Sequence, residues 1–264
     1  MENLTMKSNI LYLTAVFFLS VLFVACDNDP APRGGVKVEF DNIAGNKNLV
    51  LNGVTYTNAS GENFTVTSLK YYVSNFKFTR ADGSVFTFPK DESYFLIKED
   101  TKASQMVSLP QVPYGEYTGI EFVVGVDSLK SVSPLEQRKG VLDPGNGEGM
   151  YWSWNSGYIF MQLEGTSPAA ESEKFNYHVG FFGGLNEPTL NNNRTVKLNF
   201  DHPVVVSESN TPEIHIMADI LKLFDGPGTS LKIAETPNIM GGQPQKAAEV
   251  ADNYAQMFSV DHIH

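Results

Sequence analysis

From residue 36 onward the chain alternates apolar and polar residues with a period of two, in short stretches parted by turn residues. No other feature constrains the fold as strongly, because a strand with one apolar face has to bury that face against a second sheet. Val36-Lys37-Val38-Glu39-Phe40 sets Val36, Val38 and Phe40 on one side. Residues 64–79 are dense in β-branched and aromatic side chains and read as two strands or one bent strand. Asp82-Gly83 lies between that run and the next, a hairpin signal. Further strands are expected at 93–98, 117–126, 150–163, 174–182, 194–200, 203–207 and 213–217. Many short strands with turns between them predict an all-β fold, a single β-sandwich or barrel-like domain over residues 36–264.

Helical spacing is rare. Ser133-Pro134 ahead of Leu-Glu-Gln-Arg fits one turn with proline in the first helical position, and residues 218–224 fit another. Ala247, Val250, Ala251, Tyr254, Met257 and Phe258 share one helical face and predict a short C-terminal amphipathic helix packed on the sheet. VKVEFDN at 36–42 echoes VKLNFDH at 196–202, which two similar strands explain as well as an internal repeat does.

Cys26 is the only cysteine of the 264 residues, so no intrachain disulfide forms and packing has to hold the fold. A hydrophobic content of 42% is enough to build such a core. The net charge of −11 argues against nucleic acid or an anionic membrane surface as a partner.

The cysteine sits at the end of a leader. Lys7 precedes an apolar run from Ile10 to Ala25, about the length of a secretory h-region and short for a membrane span. Phe23-Val24-Ala25-Cys26 resembles the lipobox of bacterial lipoproteins, with Phe where leucine is usual. On that reading residues 1–25 are a lipoprotein signal peptide and Cys26 is lipidated. Residues 26–35 then tether the domain to the cell envelope, on its periplasmic face or at the cell surface, with the lipid as the only membrane contact. The other reading is a signal anchor that is never cleaved.

Enzymatic motifs are missing: no GxSxG, HExxH, P-loop or GxGxxG, and no cysteine nucleophile in the domain. No enzymatic activity is expected. The five histidines carry more information. His262 and His264 are two apart, so an extended tail projects both imidazoles to one side, where they can chelate an ion. His215 and Met217 repeat that spacing with a nitrogen and a thioether, a pair suited to copper. His178 lies in a strand-like segment and His202 precedes a proline. Hydrogen-bonded surface or edge positions explain lone histidines equally well, and Met217 also fits a core. Residues 149–160 hold both tryptophans, Trp152 and Trp154. They read as core packing, as a stacking surface for a glycan or a protein, or as the site of a redox-modified tryptophan beside a metal. Asp143, Asn146 and Glu148 offer oxygen donors without EF-hand spacing.

Several spaced motifs resemble one family. Leu69-Lys70-Tyr71-Tyr72-Val73-Ser74-Asn75, residues 115–127 (GEYTGIEFVVGVD), MYWSWNSGYIF at 150–160 and Tyr177-His178-Val179-Gly180 occur in the order found in the MbnP-like copper-binding proteins. The likeness holds especially for the branch found among lipoproteins of Bacteroidetes-type bacteria, and Trp-x-Trp-x-x-Gly-Tyr is the most specific element. The resemblance implies a β-rich extracytoplasmic domain that binds copper. It also implies a di-haem, peroxidase-like partner enzyme that oxidises a tryptophan to kynurenine near the metal. Trp152 or Trp154 would be the oxidised residue, and His178 a ligand. Methanotroph-type members carry extra cysteines and a histidine after a Gly-Val-Pro turn, where this chain reads Ser131-Val132-Ser133. The pool of ligands is therefore His178, His215, His262 and His264. The competing expectation is a metal-free surface domain that binds glycan or protein through exposed aromatics.

Overall fold

In the computed structural model two sheets pack face to face through the apolar sides that the alternation marks out. Residues 31–155 and 157–264 are described; the leader, Cys26 and the expected lipid anchor lie outside them. The smaller sheet is built on Arg33–Ala44, which runs parallel to Glu213–Asp219 and antiparallel to Met106–Pro113. Phe258–Ile263 adds to the far side of Glu213–Asp219. The larger sheet runs Arg194–Val206, Gly115–Val124, Asn63–Arg80, Met161–Thr166, Lys174–Val179, Asn238–Ile239. Tyr94–Lys98 and Val85–Thr87 also pair with the long strand Asn63–Arg80. Neither sheet closes on itself, so the form is a sandwich.

Aromatic rings join the two layers. Phe40 and Phe258 of the smaller sheet meet Phe122 of the larger one edge to face, at 5.4 and 5.2 Å between ring centroids. Phe40 also meets Tyr71, whose hydroxyl donates to Asn42 Oδ1 at 2.8 Å. Asn42 Nδ2 in turn donates to the buried Glu99 carboxylate at 3.0 Å, so the polar groups enclosed here are paired.

The Asp82-Gly83 hairpin forms as its sequence predicts, with Gly83 at φ +82° and Thr79 opposite Val85. The two echoing heptapeptides lie in different sheets. Other expectations need correction. The first strand begins at Arg33, within the stretch read as tether. Met106–Pro113 is a strand that its two prolines hide; it pairs with one neighbour only, the edge position where proline is tolerated. The C-terminal helix spans Pro244–Tyr254, with Pro244 in the first turn and Ala247, Val250, Ala251 and Tyr254 buried. Phe258 is not part of it: alternation from Phe258 onward wins, and that residue starts the strand opposite Ala218. Residues 150–163 are not one strand either. Tyr151–Trp152 and Gly157–Tyr158 make a small hairpin before Met161–Thr166 begins.

Candidate metal centre

On the outer face of the smaller sheet, three histidines come together. His215 lies in the middle of Glu213–Asp219, whose Ile214, Ile216 and Ala218 point into the core. Read as an unbroken strand, Phe258-x-Val260-x-His262-x-His264 would send all four side chains to one face, the buried one. A β-bulge prevents this. Ile216 pairs with Val260 but His215 pairs with His262, which leaves Asp261 as the extra residue. Beyond the bulge Ile263 packs on the core, while His262 and His264 turn outward to join His215. Backbone hydrogen bonds of 3.0 Å in both directions between Glu213 and His264 hold the end of the chain in this register.

The rings of His215 and His262 stack with centroids 4.1 Å apart, and His264 stands edge-on to both, at 5.2 and 4.6 Å. His262 Nε2 and His264 Nε2 are 3.0 Å apart. Neighbouring ligands of a tetrahedral ion with bonds near 2.0–2.1 Å are separated by about 3.3 Å, so these nitrogens sit at nearly ligand spacing. One ligand nitrogen from each histidine lies within 4.8 Å of the others.

Carboxylates back the cluster. His262 Nδ1 is 2.7 Å from Asp261 Oδ2, and His215 Nδ1 is 3.0 Å from Glu39 Oε2. Glu39 reaches His215 because Arg33–Ala44 runs parallel beside it, with Glu39 and His215 in register. A carboxylate facing Nδ1 keeps the proton there and leaves the Nε2 lone pair for an ion. His215 Nε2 is buried without a hydrogen-bond partner and has Glu213 Oε1 3.3 Å away. Glu39, Glu213 and His215 thus form a second chelating group that shares His215 with the first. Neither carboxylate was singled out on the sequence. Glu39 comes in by parallel pairing across more than 170 residues, which leaves no local signal, whereas Glu213 lies two residues before His215 on the same strand, a spacing that could have found it.

The remaining ligand candidates lie elsewhere. His178 belongs to neither group. It sits on Lys174–Val179 in the larger sheet, with Nε2 2.7 Å from Glu164 Oε1 and 3.2 Å from Gln162 Nε2. Its ring is 6.5 Å from that of Trp152, and its buried Nδ1 has no partner. Met217 follows His215 on the same outer face, opposite Ser259. His202 is exposed and shares with His264 the rim of a shallow depression of about 200 Å³. The oxygen donors at 143–148 are committed: Asp143 and Asn146 accept turn N–H groups, and Glu148 pairs with Lys70 and Lys98.

Trp152 and Trp154 do not share one strand face. Trp154 lies in the hairpin turn and folds back to stack on Trp152, at 5.1 Å and 27°. Gly180 is the seat beneath Trp152, since a Cβ there would fall 2.9 Å from Cζ3. Gly241 does the same for Trp154, at 2.0 Å from Cζ2. The region offers no continuous aromatic platform: Tyr158 is buried, Tyr151 and Trp152 are half-buried, and only Trp154 is 44% exposed. The spaced motifs meet around this point. Ser74 Oγ donates to Gly125 O at 2.8 Å, Asn75 Nδ2 donates to Asp127 at 3.2 Å, and Asn155 Oδ1 accepts from the N–H groups of Leu185, Asn186 and Glu187.

A structure of MbnP from Methylosinus trichosporium has the same fold, with a TM-score of 0.59 and 19% identity over 87% of this chain and 98% of that one. No curated protein matches the sequence. The MbnP family profile matches residues 33–241, which include His178, His215 and both tryptophans but end before His262 and His264. The match covers most of the chain, and this protein belongs to the MbnP family.

Proposed function

We propose that this is an extracytoplasmic copper-binding protein, tethered to the cell envelope by a lipid on Cys26, whose ion is held by His215, His262 and His264. One observation carries the reading: three imidazoles, from strands more than forty residues apart, converge on one sheet face with ligand nitrogens within 4.8 Å. Family membership makes copper the first metal to test. His178 is assigned to the tryptophan pocket rather than to this ion. Trp152, set between His178 and Trp154, is the residue we put forward for oxidation to kynurenine by a di-haem, peroxidase-like partner.

The test is a copper titration of the mature protein carrying no histidine tag. One equivalent is expected, with affinity falling at least about a hundredfold in the His262→Ala/His264→Ala double variant and by less than about threefold in His178→Ala. Unchanged affinity in the double variant would remove the assignment. Loss in His178→Ala alone would move the ion to the tryptophans.

A further inference from the structure

The carboxylates around the three histidines set two acceptors against each other. With its proton on Nδ1, facing Glu39 Oε2 at 3.0 Å, His215 turns an Nε2 lone pair toward Glu213 Oε1 at 3.3 Å. That nitrogen is buried and has no hydrogen-bond donor. Two acceptors at such a distance repel unless positive charge stands on or between them. Lys37 Nζ, 3.4 Å from the other Glu213 oxygen, steadies the carboxylate but does not fill that position.

We infer that the three-histidine centre is a divalent-cation site, with Glu213 Oε1 as an added oxygen ligand and Glu39 and Asp261 fixing the ligating tautomers. This rests on the copper-site reading above and names the charge state and hardness of its ion. Donor chemistry gives the first reason. The groups that converge are imidazole nitrogens and carboxylate oxygens, a set that suits zinc(II) and copper(II). Copper(I) favours sulfur; no cysteine lies among the described residues, and the thioether this strand offers on the same face is that of Met217, two residues from His215. Charge gives the second. Glu39, Glu213 and Asp261 surround imidazoles that bind as neutral groups, and a dication gains twice the Coulomb attraction of a monocation at each of them. Exposure of His262 and His264 gives the third, since a divalent ion there keeps water in its open position and avoids full desolvation.

Competition titrations with zinc(II), copper(II) and copper(I) against chromophoric chelators test this, on the mature protein and on Glu213→Gln, Glu39→Gln and His262→Ala/His264→Ala. Zinc(II) and copper(II) are expected to bind at one equivalent. Glu213→Gln should weaken zinc(II) about tenfold or more and leave copper(I) within about threefold. Glu39→Gln should weaken all three ions by about tenfold, because it frees the His215 tautomer. Circular dichroism of each variant shows that the fold is kept. If copper(I) binds through the histidines while zinc(II) does not, a proton supplies the charge at His215 and the divalent assignment falls, with the histidine site intact. If the double histidine variant binds every ion as the wild type does, the site itself is wrong. Equal weakening of zinc(II) and copper(I) by Glu213→Gln would also overturn the role given to that carboxylate.

Discussion

His215 stands directly across from His262, their rings stacked at 4.1 Å, and Asp261 is the surplus residue that makes the pairing possible. The bulge joins a sequence position to chemistry: it moves two histidines from the core side of the sheet to the outer side and sets a carboxylate 2.7 Å from one of them. An ion held here ties the terminal strand to its neighbour, so metal binding and the stability of the chain end are linked. Zinc(II) at a hundred times its dissociation constant should stabilise the protein by about 2.7 kcal/mol. Amide exchange checks where this acts. Protection should rise at residues 258–264, and the rise should vanish in His262→Ala/His264→Ala. Protection that rises elsewhere instead would place the ion at another site.

Gly180 controls the tryptophan pair. A methyl group on it would fall 2.7 Å from Tyr158 O and 2.9 Å from Trp152 Cζ3, and the first of these is backbone. Gly180→Ala is expected to cost about 1–3 kcal/mol by overpacking and to shift the tryptophan emission as the stack loosens. Copper affinity should stay within about threefold of wild type, because the histidine centre lies on the other sheet. Unaltered emission and stability would mean that the ring does not rest on this glycine.

Asp127 joins two of the spaced motifs, its own at 115–127 and, through Asn75, the one at 69–75. Burial works to raise its carboxyl, but hydrogen bonds from Lys90, Tyr94, Asn75 and the Lys130 N–H outweigh it and hold the group below the usual range. A lowered folded-state value gives stability that is present above the ordinary carboxylate range and lost as pH falls through the lowered one. Asp127→Asn should therefore cost about 1–3 kcal/mol at pH 7 and flatten the acid side of the stability profile. Denaturant melts from pH 2 to 7 read both. An acid limb as steep as the wild type's would assign it to other carboxylates.

Most of the sandwich was legible in the chain because one-sided strands announce themselves. Val36, Val38 and Phe40 are buried as their alternation requires, and Ala247, Val250, Ala251 and Tyr254 face the core as helical spacing requires. Two kinds of feature were hidden. Pro110 and Pro113 mask a strand because their cost depends on whether the strand is an edge, a property of topology. The metal centre was half visible. The two-residue spacing of His262 and His264 survives in the structure, but the bulge that chooses their face has no signature apart from partner strands. Glu39 enters only through pairing between residues far apart in the chain, while Glu213 stands two residues from His215 on the same strand and was legible by that spacing. His178 was named as a ligand through the resemblance, near a tryptophan to be oxidised, and the fold sets its ring 6.5 Å from that of Trp152, apart from the other three histidines of the pool.

Glu99 gives the opposite pH signature to Asp127. Burial dominates and raises its carboxyl above the ordinary value, and hydrogen bonds from Asn42 and Gln105, with Lys102 nearby, offset only part of that. Between the ordinary and the raised value the folded protein holds a proton that the unfolded chain has lost, so stability falls as pH rises through this window. The ionised group is the costly one at neutral pH. Glu99→Gln keeps an oxygen for both amide donors, at 3.0 and 2.9 Å, and removes the charge. The variant should equal or exceed wild type in stability at pH 7, and the two should converge near pH 4. Thermal melts at the two pH values decide it. A variant less stable than wild type at pH 7 but not at pH 4 would show that the charged Asn42–Glu99–Gln105 network is a net gain to the fold.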